Sequence, residues 1–136
     1  MNANQFAPKR VLVTGDRNWT SEQMIALAML ALTPGSTVIH GAARGADTIV
    51  GKLAERYGYT VEAYAAEWDK YGSAAGPMRN KRMLVKGKPT EVWAFHDDLQ
   101  NSKGTRDMVM QALKAGLRVT VYESNGSSRL LQGVLP

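Results

Sequence analysis

Five short apolar, mostly β-branched runs, helical stretches between them, and connections long enough for crossovers predict a three-layer α/β domain. Its core would be a five-stranded, mainly parallel sheet covered on both faces. The chain of 136 residues, 44% of them apolar, is long enough for one such domain and too short for a second core. Cysteine is absent, which excludes a disulfide scaffold, a thiolate zinc site and a cysteine nucleophile. Two histidines, His40 and His96, are too few for most metal clusters, and no metal site is expected. No apolar run approaches the roughly 20 residues of a membrane span, and the first residues lack a signal-peptide core. A cytoplasmic protein of bacterial or phage origin, without membrane contact, is the expectation.

Residues 1–9 are polar, include Pro8, and read as a flexible tail. Arg10-Val11-Leu12-Val13-Thr14, closed by Gly15, reads as a buried first strand. Thr20 and Gln23 have capping-box spacing and open a helix that runs to about Leu32, before Pro34-Gly35. Thr37–His40, closed by Gly41, is the second strand. A helix from about Ala46 to Tyr57 follows, terminated by Gly58. Thr60–Ala65 alternates and reads as the third strand. Gly76-Pro77 opens the next helix, with proline at the first position, where no amide hydrogen is needed. That helix ends near Gly87. Glu91–Phe95 is the fourth strand, Gly104-Thr105 opens a helix ending at Gly116, and Leu117–Tyr122 is the fifth strand. Residues 10–123 thus form the domain, and 124–136, Ser/Gly-rich and then apolar, a C-terminal tail.

Parallel sheets of this kind bind ligands beyond the carboxyl ends of their strands, near the point where strand order reverses. The segments after the strands therefore carry the functional signal. After the first comes Gly15-Asp16-Arg17. After the second comes Gly41-Ala42-Ala43-Arg44-Gly45-Ala46-Asp47. After the third come Glu67-Trp68 through Gly72 and Ala75-Gly76-Pro77-Met78-Arg79-Asn80. After the fourth comes His96 through Ser102-Lys103-Gly104-Thr105. Singly, each has a plain structural role: the glycines make tight turns, Asp47 complements a helix dipole, Trp68 and Tyr71 anchor packing, and His96-Asp97-Asp98 forms a solvated loop. Glycine lets backbone approach a ligand, and helix N-termini present free amides to phosphate. The recurrence of glycine with polar side chains at four successive strand ends favours a phosphate-bearing ligand. The loop at 102–105 is not a Walker A sequence, and residues 41–47 do not form G-x-G-x-x-G, which disfavours dinucleotide redox chemistry.

Charge adds a second theme. The net charge is +5 with a pI near 9.6. Arg79, Lys81, Arg82, Lys86 and Lys88 lie within ten residues without an intervening acid. A solvated helix face explains this cluster, and so does an anionic partner.

Taken together, Gly15-Asp16-Arg17, Gly41-x-x-Arg44-Gly45-Ala46-Asp47, Glu67-Trp68, Tyr71-Gly72, Ala75-Gly76-Pro77-x-Arg79-Asn80-x-x-Met83 and Ser102-x-Gly104-Thr105 resemble the YspA/YpsA-related branch of the SLOG superfamily. The resemblance covers about residues 10–122. It implies a Rossmann-like fold that binds nucleotides or nucleotide-derived ligands, and no metal or redox cofactor. The superfamily includes the Lonely Guy phosphoribohydrolases, whose Arg-Lys-x-x-Met helix is similar to Arg79-Asn80-Lys81-Arg82-Met83, with Asn80 in place of the lysine. Their Pro-Gly-Gly-x-Gly-Thr-x-x-Glu loop is matched here at Gly104 and Thr105 but not in its Pro-Gly-Gly lead. Met108 takes the glutamate position, and Asp107 is one residue early, about 100° around the helix. Residues 41–47 also look like the Gly-x-Ala-Arg-Gly-x-Asp segment of the DNA-processing protein A family, which binds single-stranded DNA.

The resulting expectation is a sensor or binding protein for a nucleoside monophosphate, ADP-ribose or an NAD-derived signal, with N-glycosidic cleavage as the reaction if it turns over. Arg79, Glu67 and Asp47 are the candidate catalytic residues. Gly15, Asp16, Arg17, Gly41, Arg44, Gly45, Asp47, Trp68, Gly76, Arg79, Asn80, Ser102, Lys103, Gly104 and Thr105 are the candidate ligand contacts. Single-stranded DNA is the alternative partner. The helix from Pro77 to Lys86 and the apolar Leu130-Leu131, Val134-Leu135 end suggest a homodimer or higher oligomer.

Overall fold

A computed structural model describes residues 7–132 of the protein. Residues 1–6 of the N-terminal segment, and Val134 and Leu135, lie outside the described residues. Five parallel strands appear where β-branched runs predict them: β1 (Arg10–Gly15), β2 (Thr37–His40), β3 (Thr60–Ala63), β4 (Glu91–Phe95) and β5 (Arg118–Tyr122). The sheet has six strands rather than the expected five. Its order is β3-β2-β1-β4-β5-β6, with β6 (Ser128–Gln132) antiparallel to β5. The sixth strand arises from a hairpin. The Glu123 amide donates to the Ser127 carbonyl at 2.9 Å, closing a three-residue loop in which Gly126 takes φ +96°. The Asn125-Gly126 pair was the local sign of that turn. The short strand beyond it is largely exposed and contains no β-branched residue.

Alternation along the strands separates two cores. Val11, Val13, Val38, Trp93 and Phe95 point to one face, where α1 (Glu22–Met29) and α2 (Ala46–Arg56) bring Ile25, Met29, Val50 and Leu53. Leu12, Ile39, Val92, Ala94, Val119 and Val121 point to the other. There, α4 (Ala75–Gly87) brings Met83, and α5 (Gly104–Lys114) brings Met108 and Val109. The short α3 (Trp68–Tyr71) and a 3-10 turn at Gly72–Ala74 lead into α4.

Helix boundaries depart from expectation for identifiable reasons. The cap of α1 is Ser21, whose hydroxyl accepts the Met24 amide at 3.3 Å, rather than Thr20. Buried Trp19 donates its indole N–H to the Ser21 carbonyl and fixes the chain one residue later. The helix stops at Met29, and Leu30, Ala31 and Leu32 continue with i→i−3 bonds that tighten the last turn. Pro77 occupies the third position of α4 rather than the first. It is tolerated there because the first-turn amides have no intrahelical acceptor.

Strand order reverses between β1 and β4, so the carboxyl ends of these neighbours, paired at Gly15 and Phe95, flank the crevice expected of such sheets. Phe95 is fully buried between Trp19, edge-on at 5.6 Å, and Tyr122, stacked at 4.8 Å. Phe95→Ala should lower stability by about 3–5 kcal/mol, measured by denaturant unfolding, because this rigid stack cannot collapse onto the vacated space.

Candidate functional site at the strand-order reversal

A cleft of about 430 Å³ opens at this reversal. β1 and the turn after it contribute Thr14, Gly15, Asp16, Arg17 and Asn18. The segment after β2 contributes Ala43 and Asp47, α4 contributes Arg79, and the segment after β4 contributes His96, Ser102, Lys103, Gly104 and Thr105. Backbone packs closely here. The Asp16 amide donates to the Phe95 carbonyl at 2.9 Å, and the Ala46 amide to the Asp16 carbonyl at 3.2 Å. Gly45, at φ +74°, lies so near the backbone of Asp16 and Arg17 that a Cβ would collide with both. Glycine is required there on both counts.

The N-terminus of α5 borders the cleft. Its later first-turn amides are occupied: Arg106 N–H donates to Ser102 Oγ at 2.9 Å, and Asp107 N–H to the Lys103 carbonyl at 3.0 Å. Gly104 and Thr105 N–H have no intrahelical acceptor by position. A Cβ on Gly104 would meet nothing within 4 Å. Lys103 and Arg17, both exposed, line the same cleft and add positive charge to the helix dipole.

Behind the cleft lies a buried polar network. Asp47, in the first turn of α2, turns back so that Oδ2 accepts the amides of Gly41 at 3.0 Å and Ala43 at 3.2 Å. Burial pushes its carboxyl up to about 6, against the lowering effects of the Ala43 amide, the Arg79 charge and the Gly41 amide. Arg79 Nη1 donates to the Gly41 carbonyl, and Nε to Asn80 Oδ1 at 2.9 Å. A Cβ on Gly41 would lie 2.6 Å from Arg79 Nη1, so the guanidinium occupies space that only glycine leaves free. Asn80 Nδ2 donates to Asp107 Oδ2 at 2.9 Å, and Gln111 Nε2 donates to the same oxygen at 2.8 Å. His40 Nδ1 accepts the Ala42 amide at 3.0 Å, and burial, aided by the Arg79 charge, lowers its pKa.

The cleft therefore gathers Gly15, Asp16, Arg17, Asp47, Arg79, Ser102, Lys103, Gly104 and Thr105, with Gly41 and Asn80 directly behind. Arg44 and Gly45 line an adjoining groove with Trp19 and Thr48, which Arg17 shares. Glu67 lies elsewhere: its carboxylate is exposed and stands 3.9 Å from Arg82. Trp68 is half-exposed and rests on Gly76, where a Cβ would approach its ring at 3.1 Å. His96 joins the cleft although sequence reasoning assigned it to a solvated loop. Its Nδ1 accepts the Asp98 amide at 2.9 Å, leaving Nε2 directed toward Asp16 Oδ2 at 4.0 Å. The available signal was its position immediately after the fourth strand. Among the described residues, no group of three or more His, Asp or Glu side chains is assembled as a metal site would require. No helix among them is long and apolar enough to cross a membrane.

Comparison with known proteins bears on this architecture. Residues 9–71 match the model of a family described as YspA, cpYpsA-related SLOG. The chain is 38% identical over 120 residues to the Gene 61 protein of Mycobacterium phage D29, covering 82% of this chain and 94% of that protein. In fold it is similar to DNA processing protein A from Streptococcus pneumoniae, with a TM-score of 0.59 at 16% identity. That likeness covers 90% of this chain and about half, 52%, of the larger protein.

The raised carboxyl of Asp47 fixes the sign of a pH effect. The folded state holds the proton more tightly than the unfolded chain, where 3.8 is the ordinary value. This residue's contribution to stability therefore falls as pH rises from about 4 to about 6 and is flat above. Asp47→Asn removes the effect. The stability of the variant relative to wild type should rise by about 2 kcal/mol between pH 4 and pH 7, read from urea unfolding at each pH.

Proposed function

The chain belongs to the YspA, cpYpsA-related SLOG family, and from that premise we propose that its cleft binds the phosphate of a nucleotide-derived small molecule. A nucleoside monophosphate, ADP-ribose or an NAD-derived signal is the ligand class. The observation that carries the reading is the N-terminus of α5, where Gly104 and Thr105 offer amides beside Lys103 and Arg17 at the strand-order reversal. The role is binding or sensing rather than turnover. Arg79 is engaged by the Gly41 carbonyl and Asn80, Asp107 by Asn80 and Gln111, and Glu67 stands outside the cleft. Met108, in place of the glutamate of the phosphoribohydrolases, is fully buried in the core. Wild-type protein incubated with nucleoside monophosphates and NAD derivatives should release no free base by chromatography.

Single-stranded DNA remains the competing ligand, favoured by the likeness in fold to DNA processing protein A and by exposed Arg17, Arg44 and Lys103. Ionic strength separates the two: several phosphate contacts give a steep salt dependence, and one phosphate in a cleft gives a shallow one. The proposal includes self-association, with exposed Met78 and Val85 on α4 as contacts. Light scattering should return at least twice the 14.8 kDa of one chain.

Gly104→Val is the decisive substitution. Its side chain has room, so the melting temperature should hold, while calorimetry with AMP, ADP-ribose and NAD should show at least about a tenfold loss of affinity, as expected when charge-assisted hydrogen bonds are lost. Undiminished binding by the variant would place the phosphate elsewhere.

A further inference from the structure

One polar atom beside the cleft is not used by the fold. Asp47 Oδ2 takes both loop amides, while Oδ1 has no hydrogen-bond partner although the side chain is only 6% exposed. A buried acceptor without a donor is costly, and such atoms are rare enough in folded proteins to require a reason. Arg79, whose charge acts on Asp47, does not supply the donor: it directs Nη1 to the Gly41 carbonyl and Nε to Asn80, and none of its N–H groups bonds Oδ1. Asp47, Ala43 and Arg79 line the same cleft as Gly104 and Thr105. The residue that carries the open acceptor and the residues that carry the open amides therefore line a single space, with Oδ1 itself buried just beneath its wall.

A ligand complementary to both must carry an anionic group at one end and a hydrogen-bond donor at the other. In a nucleoside 5′-monophosphate, the donors nearest the phosphate are the hydroxyls of the sugar, and carboxylates are well suited to accept from them. We infer that Asp47 Oδ1 accepts a hydrogen bond from a sugar hydroxyl of the bound nucleotide, making Asp47 the residue that selects the ribonucleotide over the deoxy form that lacks that hydroxyl. Asp47 acts here as a specificity residue, and no chemical step is assigned to it. The inference rests on the phosphate reading above and adds to it the sugar end of the ligand.

The test uses calorimetry on the full chain with AMP, GMP, CMP and UMP, followed by the 2′-deoxy and 3′-deoxy forms of the tightest binder. Loss of one of the two hydroxyls should weaken binding by at least about tenfold in wild type, the scale of one hydrogen bond to a charged acceptor. Asp47→Asn keeps an oxygen for the Gly41 and Ala43 amides and places an NH₂ at the Oδ1 position. In that variant, the ribonucleotide should fall to the affinity of its deoxy form, and the gap should close. Equal affinities in wild type, which need no variant to measure, would overturn the inference and leave phosphate binding intact. A gap that persists in a folded Asp47→Asn protein would also overturn it. Failure of all four monophosphates to bind, with Gly104→Val no different, would defeat the phosphate reading and this inference together.

Discussion

Two opposite charges are buried behind the carboxyl edge of the sheet, and one glycine residue stands between them. Gly41 gives its N–H to Asp47 and its carbonyl to Arg79, so each charge is satisfied by backbone rather than by the other. Direct pairing would have removed two side-chain contacts that hold Gly41 in the loop after β2. This arrangement instead ties α2, on one face of the sheet, to α4, on the other, through a single residue of the loop between β2 and α2. Removing either charge would leave the other buried with fewer compensating interactions, which is where large destabilisations arise.

The same chain of contacts sets the geometry of the candidate phosphate site. From Arg79, the network continues through Asn80 to Asp107, one turn into α5, where Gln111 holds the second donor. The opening amides of α5 are thereby fixed relative to the loop after β2, although the two segments are distant in sequence. Part of the cost lies in Ala42, held at φ +57°, where a side chain is disfavoured by about 1–2 kcal/mol. Its amide is satisfied by His40, so the three successive amides of Gly41, Ala42 and Ala43 all point inward to side-chain acceptors. Such inward-facing amides form a concavity suited to an anion, and here the anion is the protein's own carboxylate.

The sheet was legible in the sequence because a buried parallel strand is rich in apolar residues, and β2 and β4 have the bounds that the sequence predicts. The convergence of the candidate residues on one cleft was legible for a topological reason: in a parallel sheet, the segments after the strands leave from the same edge. The wiring of that cleft was not. Arg79 lies near Glu67 in sequence, yet its side chain reaches across to Gly41, and Glu67 is left with Arg82. Nothing in helical spacing distinguishes these partners, since the choice depends on where a glycine leaves room. Asp107 likewise looks like a displaced catalytic acid until Asn80 and Gln111 are seen to engage it. The sixth strand escaped notice because it buries little, and its pairing comes from backbone rather than from an apolar pattern.

That strand has a practical consequence. Running antiparallel to β5, it carries the chain back until Gln132 pairs with Arg118, at the opposite edge of the sheet from the cleft. β1 begins at that same edge, with Arg10 paired to Thr37. Both ends of the described chain thus leave from the side remote from Gly104 and Asp47. A fluorophore, an affinity handle or a surface tether attached at either end would hold the molecule with its cleft facing outward, open to whatever is passed over it.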